Sequence, residues 1–148
     1  MMDIAIPYSH NHCFACGTSD SFSTALNLRF IRSKAGGVQA AVSLDRLYQG
    51  YSGVLHGGII STLLDAAMTH RLFAEGVEAM TADLHIRFAK PVPVNHEVIL
   101  SADIDSSIRG VFTLSSKLYC ERSIYASAKA KFMRANASAS SSFPSSDC

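Results

Sequence analysis

The densest chemistry in the sequence is the run Tyr48-Gln49-Gly50-Tyr51-Ser52-Gly53-Val54-Leu55-His56-Gly57-Gly58, with Asp65 eight residues after Gly57. Ile60, Leu63, Leu64, Ala67 and Met68 follow at helical spacing, so the paired glycines open a helix. The first turn of a helix leaves backbone N–H groups without partners, at the positive end of the macrodipole. With glycine there, no side chain shields those groups and an oxyanion can be held; the same glycines also suit a tight turn or close packing. Asp65 tips the balance toward chemistry. It sits between Leu64 and Ala66, where aspartate has poor helix propensity and an unpaired buried carboxylate costs several kcal/mol.

Ser61, Thr62, Asp65 and Thr69 share one face of this helix, and Ile60, Leu63, Leu64 and Ala67 cover the rest. Such a stripe is either solvated or lines a cavity or an interface. A sheet wrapped around the helix leaves little face for solvent, which favours the cavity or interface. Eight residues of helix place Gly57 and Asp65 roughly 12 Å apart along the axis. Both groups cannot then touch one reacting carbonyl, which requires about 3 Å from each. If both act on one substrate, Asp65 must meet the glycine amide of a second copy, in an isologous dimer with two equivalent sites.

The elements that must position these groups can be read from periodicity. A single long helix is expected over residues 58–74, with Gly76 as its stop. Two alternating stretches precede it, 26–31 and 38–44, joined through Gly36 and Gly37. Four more follow, at 80–88, 98–104, 111–120 and 123–132, the first ended by Pro91 and Pro93. Strict alternation puts Asp83, His85 and Arg87 on the same strand face as Thr81. Short Gly- or Pro-containing connections suit antiparallel neighbours. The fold class is α+β: a curved antiparallel sheet wrapped around one central helix.

At 148 residues, 48% hydrophobic and 17% charged, the chain fits one domain, expected over residues 1–134. The Ser/Ala-rich residues 135–148 are expected to remain a disordered tail. A net charge of +1 gives no footprint for a polyphosphate backbone, so nucleic acid is not an expected partner. No run reaches the roughly 18 apolar residues of a membrane span. The first eight residues hold Asp3 and no Lys or Arg, so the expected location is cytoplasmic. Cys13, Cys16, Cys120 and Cys148 form no disulfide framework and are expected reduced.

His10, His12, Cys13 and Cys16 bring metal-binding side chains within seven residues, but the two histidines lie closer together than usual zinc spacing. A packed turn without metal is the expectation. His70, beside Arg71, is expected at the surface or an interface, and Arg109, before Gly110, in a turn.

The run Gln49 to Asp65, followed by Met80-Thr81-Ala82-Asp83-Leu84 and Arg87-Phe88-Ala89-Lys90-Pro91-Val92-Pro93, resembles the hotdog-fold acyl-CoA thioesterases of the phenylacetate-degradation (PaaI-like) type. His12-Cys13-Phe14-Ala15-Cys16-Gly17 resembles the opening of one branch of that superfamily. The resemblance covers about residues 10–134. It implies a homodimer or dimer of dimers that hydrolyses an acyl-CoA substrate to a carboxylate and coenzyme A, with no cofactor. It implies that the Gly57 N–H, with Gly58 beside it, polarises the thioester carbonyl, while Asp65 of the opposite subunit acts as general base or nucleophile. Thr81 matches a Ser or Thr that positions the carboxylate or the water, and His56 matches the motif histidine. Relatives often carry Asn or Gln where Gly50 stands here; Gln49 is the neighbouring candidate to replace it. Arg87 and Lys90 are candidates for the coenzyme A phosphates. A hotdog module that binds acyl-CoA without turning it over is the alternative. Hydratase chemistry is disfavoured, because it usually joins a His and a carboxylate on one substrate, and one helix holds His56 and Asp65 apart.

Overall fold

The computed structural model describes residues 3–17 and 26–134; the Ser/Ala-rich stretch 135–148 lies outside the described residues. In chain order the main elements are β1 (Ile31–Arg32), β2 (Val38–Val42), α1 (Gly57–Phe73), β3 (Ala79–Phe88), β4 (Val98–Ile108), β5 (Val111–Cys120) and β6 (Ser123–Arg134). The strands form one six-stranded sheet in the order β1-β2-β4-β5-β6-β3, antiparallel throughout. Helix α1 packs against its concave face. Leu63, Leu64, Met68 and Leu72 on the helix meet Leu100, Leu114, Leu118 and Phe132 on the strands, all excluded from solvent. Truncating one of these leucines to alanine costs about 2–5 kcal/mol. The α+β class, the single helix and the four strands that follow it agree with the periodicity.

The first expected strand is shorter than its pattern. Leu26, Leu28 and Phe30 are buried and Asn27 and Arg29 exposed, as alternation requires. Asn27, however, has φ 53°, and the N–H groups of Leu26 and Leu28 donate to Phe14 and Ala15 carbonyls rather than to a neighbouring strand. The N-terminal segment takes the hydrogen bonds that would have extended β1. Arg109 (φ 51°) and Gly110 (φ 78°) make the two-residue turn between β4 and β5, both in the left-handed region that such a hairpin needs.

Strand β3 departs from strict alternation in a way that matters. Its register with β6 shifts between Thr81 and Asp83, a bulge at Ala82. Thr81 pairs with buried Phe132, whereas Asp83, His85 and Arg87 pair with Lys131, Lys129 and Ser127. Thr81 therefore lies on the concave side, and the three charged or polar residues line a hollow of about 540 Å³ on the outer side. The expectation that all four share a face is corrected by this one inserted residue.

His70 is also corrected: it is 1% exposed, not a surface residue. Its Nδ1 donates to the Ala66 carbonyl at 2.8 Å, and its ring stacks on Phe30 with centroids 4.4 Å apart. Burial, with lesser contributions from the charges of His10 and Arg29, lowers its pKa from the usual 6.5 to about 4. Below pH 6.5 the unfolded chain takes up a proton that the folded chain refuses until about pH 4. Stability is accordingly full above pH 6.5 and falls by up to about 3 kcal/mol as the pH drops toward 4. Urea midpoints at pH 7 and pH 5 should show this loss, and His70→Gln should flatten it. An equal loss in the variant would assign the pH dependence elsewhere.

Candidate active site

The helix start is built by His56. It is the N-cap residue (φ −62°, ψ 137°), and its Nδ1 accepts the Gly58 N–H at 2.8 Å. Its own N–H donates to the Tyr48 carbonyl at 2.9 Å, which ties the helix to the preceding loop. A Cβ on Gly58 would stand 3.1 Å from His56 Nδ1, so the second glycine makes room for the cap. The Gly58 N–H is thereby consumed. The Gly57 N–H has no hydrogen-bond partner among the described residues, and it is the donor left at the positive end of α1. A Cβ on Gly57 would make ordinary contact with the Phe88 ring, at 3.6 Å.

The loop before the cap closes tightly under it. A side chain at Gly50 would press on His56 Cα at 3.2 Å and on its ring at 3.4 Å. Glycine at this position is thus dictated by the approach of the loop to His56. Gln49 uses its Oε1 to accept the Gly53 N–H at 3.1 Å, within the same loop.

Asp65 stands two turns further along α1, half-buried. Thr81, turned inward by the bulge, donates its hydroxyl to Asp65 Oδ1 at 2.6 Å. Burial raises the Asp65 pKa above the ordinary carboxylate value, against the Thr81 bond and the nearby charge of His10, which lower it. A carboxylate made more basic, fixed through one oxygen, is suited to take a proton through the other. The pair faces a cavity of about 370 Å³, whose walls also include Thr62, Thr69 and His10. Ser61, Thr62 and Thr69 each donate to the backbone carbonyl four residues earlier, so the polar face of the helix is internally satisfied.

The structure brings Asp65 and Thr81 together and leaves the other candidates elsewhere. Gly57, Gly58, His56 and Gln49 cluster at the opposite end of the helix segment. Arg87 lies on the outer face of the sheet. Lys90, beyond the end of β3, donates to Ser123 Oγ at 3.3 Å. His10, Cys13 and Cys16, expected only as a packed turn, line the Asp65 cavity. Their regular three-residue spacing was the signal for a shared direction.

The model of the Thioesterase superfamily matches residues 52–124, a stretch that contains His56, Gly57, Asp65 and Thr81. The chain belongs to the thioesterase superfamily. Over 88 residues it is 32% identical to the acyl-coenzyme A thioesterase THEM4 of Mus musculus, a match covering 58% of this chain and 38% of that protein. The match thus spans little more than a third of the length of that relative. A solved thioesterase superfamily protein superimposes with a TM-score of 0.73 at 25% identity, covering 78% of this chain and 58% of the other. A Bacillus halodurans protein solved with CoA gives a TM-score of 0.67 at 21% identity, covering 78% and 79%. The sheet wrapped around α1 is the hotdog fold of this superfamily.

Proposed function

We propose that this superfamily member hydrolyses acyl-CoA thioesters, with each reaction centre assembled from two copies of the chain. The observation that carries this reading is the Asp65–Thr81 pair: a half-buried carboxylate with raised basicity, held at 2.6 Å by a hydroxyl on the wall of a cavity. Asp65 takes a proton from water as the oxygen attacks the thioester carbon. The tetrahedral oxyanion that results is stabilised by the Gly57 N–H and the dipole of α1, and the coenzyme A thiolate then leaves. His56 holds the helix start in shape, and Thr81 aims the carboxylate. Gln49 and Gly50 shape the loop under the cap, Gly58 accommodates it, and Lys90 offers a cation to the phosphates of the substrate, whereas Arg87, on the outer face, is turned toward the second copy. The solved neighbour containing CoA supports the ligand class.

Because Gly57 and Asp65 lie on one helix about 12 Å apart, the second copy is required for both to reach one carbonyl. Strand β3 offers the means. It is an edge of the sheet, with Met80 and Phe88 more than half exposed. An edge of this length is a template for pairing with another strand. Its Asp83-x-His85-x-Arg87 pattern is self-complementary: an antiparallel copy centred on His85 sets Asp83 opposite the Arg87 of the other chain.

A thiol-release assay across aryl and fatty acyl-CoAs tests the proposal. Turnover of at least one class is expected, at rates typical of enzymes, about 1–10³ s⁻¹. Tight binding without thiol release on every member of the panel would replace hydrolase with carrier or sensor.

A further inference from the structure

The cavity that the Asp65–Thr81 pair faces has another part of its wall with different chemistry. His10, Cys13 and Cys16 stand three residues apart, and their ligand atoms all lie within 4.8 Å of one another. The spacing works because the segment is a succession of turns: the Cys13 N–H donates to the His10 carbonyl at 3.1 Å, and the Gly17 N–H to the Cys13 carbonyl at 2.7 Å. Each ligand therefore follows the last on the same side. The Ala15 N–H donates to Cys13 Sγ at 3.4 Å, which fixes the direction of that sulfur. Glycine at position 17 is obligatory, since a Cβ there would lie 2.6 Å from the Cys13 carbonyl oxygen. The segment is anchored on both sides. Leu26 and Leu28 donate to the Phe14 and Ala15 carbonyls, and the His10 ring sits edge-on to Phe73 with centroids 5.0 Å apart.

We propose that His10, Cys13 and Cys16 bind one thiophilic divalent cation of the zinc class, with a fourth coordination position open to the cavity that holds Asp65 and Thr81. One imidazole and two thiolates form a donor set selective for zinc over hard cations such as magnesium and calcium. Tetrahedral coordination at about 2.0–2.3 Å from the metal sets ligand atoms roughly 3.3–3.8 Å apart, within a small side-chain adjustment of the observed group. Three protein ligands beside a cavity match sites whose metal meets water or substrate, rather than closed four-ligand structural sites. Binding releases one proton from each thiol. A disulfide between Cys13 and Cys16 would account for the two sulfurs but would give the third ligand atom, that of His10, no part. Cys120, on β5, stands outside the group.

Cobalt(II) titration of the reduced, metal-stripped full chain tests the site without any thioester substrate, so its outcome is independent of the hydrolase proposal. Expected are saturation at one equivalent per chain, thiolate-to-cobalt charge-transfer absorption, and displacement by zinc. His10→Ala and Cys13→Ser should each weaken binding by more than about 100-fold, beyond the loss typical of groups that only support a ligand. Cys120→Ser should leave it unchanged. Circular dichroism confirms folding of each variant. In the wild-type chain, zinc should protect Cys13, but not Cys120, from a maleimide; Cys16 is 1% exposed and is shielded in either state. Absence of a saturable one-equivalent phase, a cobalt spectrum unaltered by Cys13→Ser, or equal alkylation of Cys13 with and without zinc would each overturn the assignment.

Discussion

Asp65→Asn is expected to lower kcat for acyl-CoA hydrolysis by about 10²–10⁴-fold while leaving acyl-CoA binding nearly intact. The amide keeps the size and the Thr81 contact of the carboxylate, and its carbonyl still accepts the hydroxyl now held at 2.6 Å. What it loses is the capacity to take a proton. Because burial raises the Asp65 pKa, the wild-type acidic limb should fall at a pH above the ordinary carboxylate range. Activity is present where Asp65 is ionised and is lost as the pH drops through its raised pKa. Steady-state kinetics with thiol detection, beside calorimetric binding of a non-hydrolysable acyl-CoA analogue, separates the two quantities. A decrease under tenfold in kcat would remove Asp65 from the chemistry.

Gly57→Pro should cost about 10²–10³-fold in kcat, the loss typical of a deleted oxyanion donor. Proline is suited to this position. Gly57 is the first residue of α1, where the missing N–H would be unpaired in any helix, and His56 before it has the extended ψ of 137° that proline demands of its predecessor. The substitution therefore removes one donor and spares the helix. Gly57→Ala keeps the donor and adds a Cβ in ordinary contact with Phe88, so comparing the two variants separates the N–H from the space. Equal activity in both, close to wild type, would leave the oxyanion role without support. Mixing the two disabled chains, Asp65→Asn and Gly57→Pro, is more telling still. Random reassortment leaves about a quarter of all sites with an intact amide from one chain and an intact carboxylate from the other. Recovery toward a quarter of wild-type activity is expected; none, in proven heterodimers, would place both halves of the reaction within one copy.

Much of this architecture was legible in the residues. The switch from alternation to helical spacing after His56, and back to alternation at Met80, is enough to give one helix and the four strands behind it, because side-chain periodicity follows directly from backbone geometry. The mid-helix position of Asp65 was equally visible, since an isolated carboxylate among leucines requires a compensating partner. The two glycines were legible as a helix start, but not in their division of labour. That one serves the His56 cap and the other keeps a free N–H depends on where an imidazole ring folds back.

What the linear pattern did not contain was the bulge at Ala82. Counted by twos, Thr81 belongs with Asp83, His85 and Arg87 on the outside of the sheet. The register shift against β6 inverts that assignment, placing Thr81 beside Phe132 and within hydrogen-bonding distance of Asp65. The burial of His70 and the cavity beside the His10–Cys13–Cys16 group were hidden for a related reason. The surroundings of that histidine and of that group come from segments distant in sequence, Phe30 packing on one and the Asp65 cavity bordering the other, and no local periodicity encodes such meetings. The sequence by itself determined the helix, the four strands that follow it and the identity of the acidic group. Tertiary packing decided which faces those elements turn toward one another, because a single inserted residue costs little locally yet reverses every side chain beyond it.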